Sequence, residues 1–352
     1  TTQSLKMGSV RIRQRLKELE KTNTNYAQLV EEFIRNDLTG FKRLYLKDRE
    51  IKNLILMGDF LTETIFREER QDNIITRAEF EKRYENTVYK TETSLSEEMD
   101  IDPEYAALIV PTMVICKDFM DLFNAEALWM SGVSLLDGIA YDFGEKKNFI
   151  KSAHNFENDI LVAARNIAKR YSTGKDHIKG TTDLALAIFD SMKKVHGMGD
   201  RERLLLQIAV QLHDCGKYIS MGDVAECSYQ IIMATEIIGL STEERQIIAN
   251  AVRYNTTEFV YYSEIAGEVG MDRSVYLLIA KLTAILRIAN AMDRSHYQKV
   301  KNMKAMLKDR TLLLTVDSEQ DISLELGLLM DKVEFFEEVF GIRLVFRRKR
   351  KV

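Results

Sequence analysis

His213 and Asp214 stand side by side in "QLHDCGKYIS" (211–220), at the end of an apolar run and just ahead of Gly216 and Lys217. Neutral imidazoles and carboxylates are the side chains that hold a divalent ion in a metal-dependent phosphohydrolase site. Such an ion lowers the pKa of a bound water and polarises a phosphoryl group. Neighbouring residues on a helix point in different directions, so the doublet can converge on one ion only at a bend or a helix end. Gly216 supplies that break. Candidates to complete the set are His177, ahead of "TTDLALAIFD", and Asp293, near the end of a long late apolar segment. A histidine on an apolar helix serves equally as a hydrogen-bonded core residue, and from these residues alone the two readings stand level. His154 and His296 fall near helix ends and His196 in a glycine-containing loop. With no partner at ligand spacing, each is expected to be structural or exposed.

The elements that must carry these residues are helical. "FENDILVAARNIAKRY" places Ile160, Ala163, Ala164 and Ile167 on one face. "TDLALAIFDSMKKV" and "ERLLLQIAVQLHDCGKYI" are two more helices, and "SVYLLIAKLTAILRIANAMDRSH" is a long buried one. "LSTEERQIIANAV" opens on a capping box, with Ser241 followed three residues on by Glu244.

The first part of the chain alternates strands and helices, the pattern of an α/β layer. "QSLKMGSVRI" (3–12) reads as two short strands meeting at Gly8, or one strand bulged there. "IKNLILMGD" (51–59) reads as a buried strand, and Pro111 should start or kink a helix. At the other end "RTLLLTV" and "ISLEL" read as a hairpin, followed by a helix that Gly341 ends and a last strand with a basic tail. The expected fold is α/β plus all-α: residues 1–148 an α/β half, 149–300 a helical domain, and 301–352 a small C-terminal α/β appendage.

The 352 residues allow two or three domains, and the 45% hydrophobic content allows sizeable cores. A net charge of −4 argues against a dedicated nucleic-acid binder. The three cysteines form no CxxC pair, which fits a reducing, cytoplasmic setting. No membrane-spanning run is expected.

The helical segments carry a resemblance. "FENDILVAARNIAKRY", His177 seven residues before "LALAIFD", "LHDCGKYI", "LGLSTEERQIIANAVRYN" and "LRIANAMDRSH" together resemble the HD-type helical domain of the Ppx/GppA phosphatases, the exopolyphosphatases and guanosine pentaphosphate phosphohydrolases. "SLKMGSVRI" resembles the strand pair after that family's phosphate loop, and "VSLLDGIAYDF" its "GLREGLLYDL" stretch. The resemblance implies the second half of a sugar-kinase/actin-like (ribonuclease H-like) domain at 1–148, followed by the HD-type helical domain. It implies Mg²⁺-dependent hydrolysis of terminal phosphoanhydrides of polyphosphate or guanosine pentaphosphate, and a homodimer. It also places the family's catalytic glutamate and first phosphate loops upstream of Thr1, so that this stretch alone lacks them.

Several positions depart from the family pattern. Of a "TGGTA"-like phosphate turn only Gly58 is kept, beside Asp59 and Phe60. In the "REG" stretch Leu136 replaces arginine, while Asp137 and Gly138 keep the acid and the glycine. Gly58, Asp137 and Gly138 are therefore the candidate phosphate contacts. Tyr105 and Ala107 replace a base and an acid. In the helical domain the histidine-rich "GHHKHS" stretch reads "DVAECS", and Asn290 stands where an aspartate ligand is expected. His177, His213, Asp214 and Asp293 remain for a single divalent ion. These departures favour His213 and Asp214 as a hydrogen-bonded pair tying helices together. The tail Arg347, Arg348, Lys349, Arg350 and Lys351 offers a polyanion contact or simply a solvated end. Three functions follow: a terminal-phosphoanhydride hydrolase, a non-catalytic binder of guanosine tetra- or pentaphosphate or of polyphosphate, or an HD-type metal phosphohydrolase.

Overall fold

The computed structural model describes residues 3–20, 25–46, 49–58, 60, 64–66, 73–152, 154–265, 271–300 and 302–348. The chain divides into two units, Ser4–Ala153 and His154–Val352.

In the first unit the elements run α1 (Ser9–Glu20), α2 (Tyr26–Phe41), β1 (Asn53–Leu56), β2 (Ile74–Thr76), α3 (Arg77–Thr87), α4 (Glu92–Met99), α5 (Pro103–Ala106), α6 (Ile109–Phe123), β3 (Ala127–Met130) and α7 (Leu135–Lys146). The sheet order is β1-β3-β2. β1 runs parallel to β3 with Leu54 opposite Leu128, and β2 runs antiparallel to it with Ile75 opposite the same residue. Val30, Ile34 and Leu38 of α2, spaced four apart, join Met113, Val114 and Met120 of α6 in the core. Arg77 closes the end of α6, donating to the carbonyls of Met120 and Ala125 at 2.7 and 3.0 Å.

Two expectations here change. Residues 3–8 form no strand, and a helix begins at Ser9. Ile12 and Leu16, four apart, are both buried, so the helical period wins over the local alternation. The strand at 51–59 is shorter, Asn53–Leu56, and is not buried throughout, since Ile55 faces outward. Pro111 sits in the first turn of α6, where its missing N–H costs no helical bond.

The second unit contains α8 (Phe156–Arg170), α9 (Lys175–Ser191), α10 (Lys193–His196), α11 (Asp200–Leu212), a single 3₁₀ turn at Cys215–Tyr218, α12 (Val224–Ala234), α13 (Thr242–Arg253), α14 (Tyr262–Ile265), α15 (Arg273–Ala291), β4 (Asn302–Lys308), β5 (Thr311–Asp317), α16 (Ser323–Phe340) and β6 (Arg343–Arg348). Every residue from Leu282 to Ala291 is buried, as befits the central helix of a bundle. α15 is long and apolar enough to cross a membrane by length and composition, but it is mostly buried inside the protein, as a core helix is. Ser241 and Glu244 form the expected capping box of α13.

The segment expected as an appendage, 301–352, shares one core with the helices: Leu312, Leu314 and Val316 of β5 and Phe336 of α16 join Ile285 and Leu206. Its hairpin pairs β4 with β5, not 310–316 with 322–326. Asp309 and Arg310 both have positive φ, the conformation of a tight two-residue hairpin turn between Lys308 and Thr311. The "ISLEL" stretch instead enters α16, with Asp321 accepting from the Ser323 amide at 3.0 Å.

Candidate metal centre

α9 begins at Lys175 and not at Thr182, so His177 lies in its first turn instead of ahead of the helix. α11 ends at Leu212, leaving His213 as its cap and Asp214 at the entry to the 3₁₀ turn. Gly216 makes this break possible by close approach rather than by an unusual φ. A Cβ there would lie 2.3 Å from the Val224 carbonyl oxygen and 2.6 Å from the Ser228 amide. The Gly216 amide in turn donates to Ser228 Oγ at 2.8 Å, locking the doublet against α12.

These elements bring together residues 36 and 116 positions apart. His177 Nε2 lies 3.2 Å from His213 Nε2, and His177 Nδ1 lies 2.8 Å from Asp293 Oδ2. Asp214 Oδ1 is 3.5 Å from His213 Nε2, and Asp214 Oδ2 is 3.9 Å from His296 Nε2. The His296 ring stacks on that of His177 with centroids 3.6 Å apart. Ligand atoms of His177, Asp214 and His296 all lie within 4.8 Å of one another. The histidines of α9 and α11 are enclosed, while Asp214 and His296 keep 12% and 34% of their side-chain surface, so the cluster opens to solvent on their side.

The hydrogen bonds settle the tautomers. The His213 Nδ1–H donates to the Val210 carbonyl at 2.7 Å, and burial holds this imidazole below its usual basicity, so it is neutral with its lone pair on Nε2. His177 Nδ1–H donates to the Asp293 carboxylate, which leaves Nε2 to face the His213 lone pair. Two imidazole lone pairs 3.2 Å apart repel unless a cation lies between them. That cation is either a proton or a metal ion, and the spacing is that of two ligands at adjacent corners of an ion with bonds of about 2.1 Å. Both Nδ1–H groups are held by oxygen acceptors, the arrangement that orients metal-ligating histidines.

The charges are organised to match. Burial alone would push the Asp214 carboxyl up, but the hydrogen bond and charge of Lys217 oppose it, and the carboxyl lies below the usual range. Lys217 Nζ reaches Asp214 Oδ2 at 2.5 Å. Burial likewise opposes ionisation of Asp293, and His177 and Gln298 outweigh it. Gln298 donates to Asp293 twice, from its amide at 2.8 Å and from Nε2 at 3.1 Å. With His177 these donors occupy Asp293, so it orients His177 instead of facing the centre. His296 is lowered to about 4, first by burial and then by His177, which leaves a neutral imidazole.

His296 is the residue that sequence reasoning set aside as structural or exposed. The signal was its place three residues after Asp293, in the segment that leaves α15. It adopts φ 59°, held by Gln298 Nε2 on its carbonyl at 2.7 Å. His213 and Asp214 are not the hydrogen-bonded pair that ties helices; that pair is His177 with Asp293. The other two histidines behave as expected: His154 is exposed beside Asp159, and buried His196 bonds the Phe189 carbonyl at 2.9 Å. Asn290 is buried in α15.

Among the remaining candidates, Gly58 follows β1 with φ 141° and lines a cavity of about 580 Å³. None of that cavity's described lining side chains is charged. Asp137 is tied into the start of α7, accepting from the Ser134 amide and hydroxyl at 2.8 and 2.7 Å, with Gly138 next to it in the same turn. Arg347 and Arg348 lie in β6, and Arg348 donates to the carbonyls of Ser318 and Gln320. Lys349, Arg350 and Lys351, like Asp59, lie outside the described residues.

Comparison with curated proteins returned no match. Family models do match: residues 162–334 match "Ppx/GppA phosphatase, domain III" and residues 1–147 match "Ppx/GppA phosphatase family". Between them the matches leave only 148–161 and 335–352 uncovered, and the chain therefore belongs to the Ppx/GppA phosphatase family.

Proposed function

We propose that this chain serves a metal-dependent hydrolase of terminal phosphoanhydrides, of inorganic polyphosphate or guanosine pentaphosphate, with a divalent ion held in its helical unit. Family membership supports a phosphatase-like activity, and phosphatases of this family typically depend on a divalent metal. The observation that carries the finer reading is the pair of Nε2 atoms of His177 and His213 facing each other at 3.2 Å, with Asp214 and His296 converging beside them. These four residues would hold the ion, and Asp293 would fix the His177 tautomer. Three imidazoles and one carboxylate suit a transition metal better than Mg²⁺, which prefers oxygen ligands. When bound, such an ion supplies an activated water and polarises a phosphoryl oxygen. Lys217, paired with Asp214 at 2.5 Å, would also face an incoming phosphate. Residues 1–148 fit the second half of an actin-like domain, with a small mixed sheet and flanking helices.

Elemental analysis and phosphate release test this together. The parent chain is expected to carry about one transition metal and to lose it in His213→Ala and Asp214→Asn. Equal metal content in parent and variants would end the proposal. Two observations favour a second reading, a non-catalytic relative: none of the described side chains lining the Gly58 cavity is charged, and Asp137 is spent on a helix cap. Metal retention without phosphate release from either substrate would select it.

A further inference from the structure

α16 meets the core along one face, where Glu325, Leu329, Phe336 and Phe340 are buried. Spacings of four and seven are those of an apolar helix stripe, and Glu325 holds a place on it that an aliphatic side chain would ordinarily fill. It is only 3% exposed. A carboxylate is seldom enclosed unless it is paired. Glu325 has two partners: its Oε1 accepts from the Ser295 hydroxyl at 2.5 Å, and its Oε2 from the Lys299 ammonium at 3.2 Å.

Both partners belong to the segment that leaves α15, one just before His296 and one three residues after it. This segment needs holding. His296 and Gln298 adopt φ 59° and 47°, left-handed values that are uncommon outside glycine and persist only where the surroundings impose them. Tyr297 between them is 75% exposed, so the tip of the turn has no apolar anchor. Gln298 braces the turn from within, through Asp293 and the His296 carbonyl. Glu325 ties it from outside, to a helix seated in the core.

We propose that Glu325 is a positioning residue of the histidine cluster: by gripping Ser295 and Lys299 on either side of His296, it holds that imidazole against His177 and beside Asp214. It touches none of the proposed ligands itself. Its consequence for metal affinity rests on the metal centre proposed above, whereas the placing of His296 does not.

Histidine ring resonances of the whole chain in EDTA, and metal affinity by chelator competition, test it. The chain has five histidines, and His296→Ala identifies the resonances of interest. Stacking on His177 at 3.6 Å places the His296 ring protons upfield of those of an exposed imidazole. In Glu325→Gln they are expected to return to the exposed position. Metal affinity is expected to fall about tenfold in that variant, but by less than about twofold when Glu325→Gln is added to His296→Ala, because the residue acts through His296. The proposal is overturned if the His296 resonances stay at their parent position, or if Glu325→Gln costs the same affinity in both backgrounds, as a general loosening of the fold would. A parent that takes up no metal ends the metal reading, and the ring resonances then decide this inference alone. Should Glu325→Gln not fold by circular dichroism, Ser295→Ala and Lys299→Met, which remove one arm each, take its place with the same outcomes.

Discussion

Asp118 in α6 of the first unit and Asp214 at the end of α11 in the second are both carboxylates drawn out of water, and they move in opposite directions. Asp118 is raised to about 6, chiefly by burial and next by Glu31. Its Oδ2 is buried with no donor among the described residues. Asp214 is drawn further out of water yet is lowered, because the Lys217 ammonium donates to it. Burial by itself therefore does not make an anionic site. Converging cations and donors do, and the helical unit is where the chain assembles them.

The largest test of this contrast is Gly216→Ala. The added methyl would meet backbone at 2.3 and 2.6 Å, which no side-chain adjustment relieves. A loss of about 3 kcal/mol is expected, read as a lower thermal midpoint, because overpacking against backbone forces the chain to shift. An unchanged midpoint would mean that the doublet does not need this close approach. A smaller effect is expected of Asp293→Asn, which leaves every proposed ligand in place but no longer requires the His177 proton on Nδ1. Metal affinity should fall about 10–100-fold in chelator competition; unchanged affinity would remove Asp293 from its orienting role.

The smallest effect belongs to Asp118, and its sign is opposite. Its folded-state pKa is raised, so folding favours the protonated form. Its contribution is most favourable below the ordinary carboxylate range, declines as pH rises towards about 6, and stays unfavourable above that. Asp118→Asn should therefore stabilise the first unit at pH 7 by about 1 kcal/mol, allowing for solvent screening of a half-buried group. It should also flatten the stability profile between pH 4 and 6. Destabilisation at pH 7 would show that the Asp118 carboxylate has a partner worth keeping.

Much of the helical unit was readable from apolar spacing. The faces of α8 and α13, the buried length of α15 and the capping box at Ser241 all follow from local rules. The doublet was readable too, together with the need for a break at Gly216. His296 was not, because it lies beyond α15 in a left-handed turn where no periodicity operates. The β4–β5 pairing escaped for a similar reason: its turn uses Asp309 and Arg310, not the glycine or asparagine that usually announces positive φ.

The sequence by itself determined that His177, His213 and Asp214 could do chemistry, the helical character of their carriers and the family pattern. Tertiary structure alone decided that α9, α11 and the segment after α15 meet at one point. It gave Asp293 to His177, turned two Nε2 atoms towards each other and added His296 to them. Local periodicity specifies which face of each helix is buried. Which buried faces meet is decided by packing between residues as far apart in the sequence as His177 and His296.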